Sequence, residues 1–132
     1  MDRVADVVQR LQAVGVLEHL RWSKLYVDEV QDYTQAELAM FFLLCSDRKG
    51  LFLVGDPVQS VFDYVDFRFE DVRSVARQLF GDNRNCIPSK PKSLTTNFRS
   101  HAGVLDLADG VLSLLFHAFP MSAKKLPVTQ GK

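Results

Sequence analysis

The chain has 132 residues, 47% of them hydrophobic and 24% charged, with 16 basic and 16 acidic side chains and a formal net charge of zero. That composition excludes disordered and fibrous classes, and the length suits one modest globular domain rather than a complete multidomain enzyme. No overall basic field advertises nucleic acid, so any polyanion site must be local, built from a few residues in a cleft.

In chain order, Val4, Val7, Val8, Leu11 and Val14 recur at helical spacing and predict an amphipathic helix ending near Gly15. "KLYV" (24–27) reads as a short buried strand. "TQAE" (34–37) has the form of a capping box, with Thr34 accepting from the amide of Glu37 and Glu37 reaching back. Leu38, Phe41, Phe42 and Cys45 continue it as a helix with one apolar face. Gly50 closes that region, and "LFLV" (51–54) is a second buried strand ending at Gly55-Asp56. Two strands apolar on both faces and joined through a helix make a βαβ unit, which favours parallel pairing. Val72, Val75, Ala76 and Leu79 mark a third helix. Residues 81–93 form a polar loop with Pro88 and Pro91, "SLTT" (93–96) reads as a third strand, and 101–117 as a strongly apolar helix on which His117 is a core or rim residue.

The two cysteines match no metal spacing; Cys45 is expected in the core and Cys86 in a loop. With no signal-like start and no apolar run approaching ~18 residues, the expectation is an intracellular, reducing compartment, nucleus or cytoplasm, and no membrane. The chain opens inside a helical pattern and closes on "SAKKLPVTQGK", as a piece of a longer protein would.

In an open parallel sheet, ligands bind at the carboxyl ends of the strands. Asp28-Glu29 follows the first strand and Gly55-Asp56 the second, so both acidic clusters fall on the same edge. When the ligand is a nucleotide, one of two adjacent carboxylates orders Mg²⁺ and the next accepts a proton from the attacking water. The plainer alternative is that Asp28 and Glu29 begin a turn and Asp32 favours a helix N-terminus. A carboxylate cluster of Asp28, Glu29 and Asp56 in a metal-dependent hydrolase is a third reading, which would need further ligands.

Three stretches occur in order: "VDEVQD" (27–32), "VGDPVQS" (54–60) and "LTTNFRS" (94–100). Together they resemble motifs II, III and IV of the UvrD/Rep-like superfamily 1 helicases, which are similar to D-E-x-Q-D, G-D-x-x-Q-S and a leucine followed by N-Y-R-S. "FRFEDVRS" (67–74) is similar to the UvrD-like segment of very large tetratricopeptide- and ankyrin-repeat proteins. The resemblance implies an α/β, RecA-like P-loop NTPase half-domain, a parallel sheet flanked by helices. Residues 1–118 would form a partial ATP-binding domain and 119–132 a tail or linker.

It further implies that Asp28 coordinates Mg²⁺, that Glu29 is the general base, and that Gln31 and Asp32 link the nucleotide state to neighbouring motifs. Gln59 would sense the γ-phosphate and Arg99 act as an arginine finger. Phe98 stands where the family has an adenine-stacking tyrosine. Phe62 and Tyr64 are candidate base-stacking residues for single-stranded DNA or RNA, although Asp63 and Asp66 replace the usual basic flank. The cofactors implied are ATP and Mg²⁺.

The pattern also has a gap. A P-loop requires G-x-x-x-x-G-K-[ST], and no such stretch occurs in the chain. The second RecA-like domain is absent as well. The chain alone is therefore expected to bind ATP weakly and hydrolyse it negligibly, because single lost donors of this sort cost a factor of ~10² or more. An interaction scaffold within a large repeat protein is the rival expectation to an ATPase fragment.

Overall fold

The computed structural model describes residues 3–16, 18–59, 69–120 and 130–131. The chain divides into two compact units, Met1–Ser89 and Lys90–Lys132.

The first unit follows the hydrophobic periodicity closely. Helix α1 (Arg3–Val14) is succeeded by Gly15, whose φ of 84° lets its amide turn back to the Leu11 carbonyl and stop the helix. Strand β1 (Leu25–Val27) leads through a 3₁₀ turn into helix α2 (Gln35–Leu44), and strand β2 (Leu51–Leu53) follows. Helix α3 (Phe69–Phe80) completes the unit. The Thr34–Glu37 capping box forms as read from "TQAE", with both the side-chain-to-amide bond and its reciprocal present.

The two strands pair in parallel, Leu25 with Leu51, Tyr26 with Phe52 and Val27 with Leu53, so the βαβ arrangement is realised. Helices α1 and α3 both pack on α2. The core consists of Val8, Val30, Leu38, Ala39, Phe42, Val72, Val75 and Ala76. Because α2 is central, Met40, Phe41 and Leu43 also pack against this core, and the helix is apolar around most of its circumference rather than on one face. Cys45 lies one residue past the helix as its C-cap, and is buried with its thiol donating to the Asp47 carbonyl at 3.0 Å.

One expectation is overturned. The strands are not buried on both faces: Tyr26 is 69% and Phe52 47% exposed, and their rings stack on one another with centroids 5.0 Å apart. Residues at paired register positions point to the same side of the sheet. The helices cover the side bearing Val27, and the aromatic pair covers itself on the other.

In the second unit, strand β3 (Thr96–Asn97) pairs in parallel with β4 (Gln130–Gly131), so the third strand begins where "SLTT" ends. Helix α4 (Ala102–Ala118) forms as expected, but none of its residues is buried, and His117 is exposed rather than a core residue. No helix among the described residues is long and apolar enough to cross a membrane.

Candidate functional site

Parallel pairing places the segments that follow β1 and β2 on the same sheet edge, and backbone bonds lock them together. The Val54 amide donates to the Val27 carbonyl and the Val30 amide to the Val54 carbonyl, both at 2.9 Å. The chain then passes Glu29, a non-glycine residue with φ 51° and ψ 45°. That left-handed conformation costs a carboxylate residue roughly 1–2 kcal/mol and is held here by the bonds on either side.

Gln31 is the centre of the arrangement. It is 1% exposed, and its amide spans both acidic loops: Nε2 donates to Glu29 Oε2 at 2.7 Å, and Oε1 accepts from the Asp56 amide at 2.9 Å. A buried primary amide has to find both donors and acceptors, and this one finds them on two segments 25 residues apart. Gly55 is required by that contact. A Cβ there would lie 2.5 Å from Gln31 Oε1 and 2.9 Å from the Val30 nitrogen.

Asp56 organises the second loop. Its Oδ1 accepts from the Val58 amide at 3.0 Å and its Oδ2 from Gln59 Nε2 at 2.8 Å. The sequence places Asp56 on the acidic edge and, in the third alternative, as a metal ligand; its loop-ordering role has the Asx-turn spacing to Val58 as its sequence signal. Among the described residues no group of three His, Cys, Asp or Glu side chains gathers as a metal would require.

Asp28 and Glu29 are exposed at the rim. Asp28 Oδ1 accepts the Glu29 amide at 2.9 Å, and Glu29 retains Oε1 beyond its bond to Gln31. Asp32 follows in the 3₁₀ turn Val30–Asp32, with its Oδ1 buried and without a hydrogen-bond partner among the described residues. The structure thus brings Glu29, Gln31, Asp56 and Gln59 into one hydrogen-bonded chain, with Asp28 and Asp32 on the same loop.

Phe98 and Arg99 belong to the second unit, where "NFRS" forms a tight turn between β3 and α4. Asn97 Oδ1 accepts from the amides of Arg99 and Ser100, each at 3.3 Å, and Asn97 Nδ2 donates to the Ser100 carbonyl at 2.6 Å. The turn leaves Arg99 and Phe98 exposed, Phe98 at 83%. Phe62 and Tyr64 lie outside the described residues.

Residues 4–77 match the family model described as the UvrD/REP helicase N-terminal domain, which covers more than half of the chain. The chain belongs to the UvrD/REP helicase family. It is 41% identical, over 98% of its length, to the human (Homo sapiens) TPR and ankyrin repeat-containing protein 1, of which it spans 5%. It is 31% identical over 83% of its length to an ATP-dependent helicase/nuclease protein of Streptococcus thermophilus, and 27% over 96% to the ATP-dependent DNA helicase PcrA of Leuconostoc citreum, spanning 9% and 16% of those proteins. No solved structure gives a significant match. The UvrD/REP match contains β1, β2 and both acidic loops.

Proposed function

We propose that the chain is part of an ATP-dependent UvrD/REP-type helicase or translocase, a RecA-like half-domain that supplies the metal and water side of an ATP site. The observation that carries this is the buried Gln31 amide joining the Glu29 carboxylate to the Asp56 amide, so that both acidic loops form one unit at the sheet edge. A turn that merely reversed the chain has no need to hold an acidic residue in a left-handed conformation and bond its carboxylate to a buried amide.

In this reading Glu29 Oε2 is fixed by Gln31 while Oε1 accepts the proton of a water. Asp28 would hold Mg²⁺. An exposed carboxylate suits that ion. When bound, Mg²⁺ neutralises charge on the phosphates. Gln59 is positioned by Asp56 to report on the γ-phosphate, and the bond between Asp56 and Gln31 connects that report to Glu29. Asp32 awaits a donor for its buried Oδ1. Arg99, presented on the Asn97 turn, acts as the arginine finger, and Phe98 packs on adenine. The phosphate cradle is not among these 132 residues, so the reaction requires the longer protein. Single-stranded DNA or RNA is the proposed track.

In the full-length protein, Glu29→Gln is expected to lower kcat for ATP hydrolysis by about 10² or more while nucleotide affinity is kept. Unchanged turnover in that variant overturns the assignment. A second reading, an ATPase-like scaffold, is favoured by the 41% identity to a repeat protein together with the missing P-loop sequence. Full-length protein that neither binds nor hydrolyses ATP, with or without nucleic acid, supports the scaffold.

A further inference from the structure

The neutral total charge conceals a local imbalance. Between Arg73 and Lys92 there are five basic residues, Arg73, Arg77, Arg84, Lys90 and Lys92, against the single acidic Asp82. The arginines converge: a cavity of about 490 Å³ beside the C-terminal half of α3 is lined by Arg73, Arg77 and Arg84, and Ser89 lines the same cavity. Arg77 approaches Asp82 at 4.0 Å, the outer limit of an ion pair, and the Asp82 side chain is 98% exposed, so this contact contributes little. Neither Arg73 nor Arg84 forms an ion pair among the described residues.

The same wall thus carries three poorly compensated guanidinium groups and one hydroxyl. Planar, paired donors of that kind suit the oxygens of a phosphoryl group, and a phosphorylated serine brings close to two negative charges. Ser89 is also open to an enzyme. It is exposed, and residues 88–95 belong to no helix or strand. Pro88 and Pro91 bias the residues before them, Ile87 and Lys90, towards an extended backbone.

We propose that Ser89 is a phosphorylation site whose phosphoryl group is held by Arg73, Arg77 and Arg84. A protein kinase acting in trans joins Ser89 Oγ to the γ-phosphorus of ATP. The bond from that phosphorus to the bridging oxygen breaks, ADP leaves, and the hydroxyl proton passes to the kinase's base. Ser89 is the last residue of the first unit, so the modification ties the end of that unit back to α3. The site shares no residue with the acidic loops, and its failure leaves ATP turnover as a separate measurement.

The test begins with the full chain carrying phosphoserine at position 89. Phosphorus NMR titration is expected to place its second ionisation about half a unit or more below the ~6 of a free phosphoserine, because the guanidinium groups favour the dianion. Amide hydrogen exchange at Ile87 and Ser89 should slow about fivefold as the segment is ordered. The triple variant Arg73→Gln/Arg77→Gln/Arg84→Gln should abolish both effects. Phosphoserine placed instead at position 113, exposed on α4, should titrate as a free one does. Asp82→Asn should lower the ionisation at position 89 further by removing the competing carboxylate, a change that loss of folding cannot mimic. Phosphopeptide mapping of the full-length protein from its own cells, isolated with phosphatases inhibited, should find phosphate on Ser89. A phosphoserine at position 89 that titrates and exchanges alike with and without the arginines, or native protein without phosphate on Ser89, overturns the proposal.

Discussion

Helices α2 and α4 are built from similarly apolar sequences, "QAELAMFFLL" and "AGVLDLADGVLSLLFHA", yet they occupy opposite environments. Helix α2 buries Leu38, Ala39 and Phe42 and is flanked by α1 and α3. Helix α4 buries no residue, with Leu107 and Leu114 each 72% exposed. Apolar content states that a face can be buried; a neighbouring element decides whether it is. The contrast also separates two ways of presenting function. The acidic loops of the first unit are fixed by a buried amide and backbone ties, whereas the Arg99 turn of the second is fixed by the local bonds of Asn97.

The widest difference between the helices should appear on truncating a leucine. Leu38→Ala, at a residue 1% exposed, is expected to cost roughly 3 kcal/mol by lost transfer energy and the cavity left behind, and Leu107→Ala less than about 0.5 kcal/mol. Urea denaturation monitored by circular dichroism measures both. Equal losses would mean that α4 is covered in solution, and the comparison would fail.

A methyl group added to a glycine should have opposite signs in the two regions. Gly55→Ala drives a Cβ against Gln31 and Val30 and is expected to destabilise by about 1–3 kcal/mol while disturbing the link to Glu29. Gly110→Ala in α4 meets nothing within 4 Å and should stabilise its helix by about 0.5–1 kcal/mol. Thermal melts of the pair report the sign directly; a loss at Gly110 would reveal a neighbour there.

The smallest difference lies at the helix starts. Thr34→Ala removes the hydroxyl that accepts from the Glu37 amide and donates to Glu37 Oε2, leaving only the backbone half of the capping box, and should cost about 1 kcal/mol. The N-cap of α4 is His101, whose Nδ1 accepts the Gly103 amide at 3.1 Å, a single bond whose loss in His101→Ala should cost less. Amide hydrogen exchange in the first turn of each helix distinguishes the two, and faster exchange after the His101 change than after the Thr34 change would reverse the ranking.

Much of the first unit is legible in its residues because local signals agree there. The spacing of Val4, Val8 and Leu11, the turn at Gly15, the Thr34–Glu37 box and the β-rich "KLYV" and "LFLV" each specify a short-range geometry with little competition. The ordered motifs likewise carry the family, which the match over residues 4–77 shows. Tertiary packing decided the rest. Whether Tyr26 and Phe52 are covered depends on which side of a two-stranded sheet the helices take, and a strand three residues long has too little alternation to say. That Gln31, not an acid, is the buried centre of the candidate site depends on an Asp56 amide 25 residues away, and a hydrogen bond across that separation leaves no periodic trace. The arginine-lined cavity is of the same kind. Its charges are scattered along α3 and the loop after it, and only folding brings Arg73, Arg77 and Arg84 around one cavity.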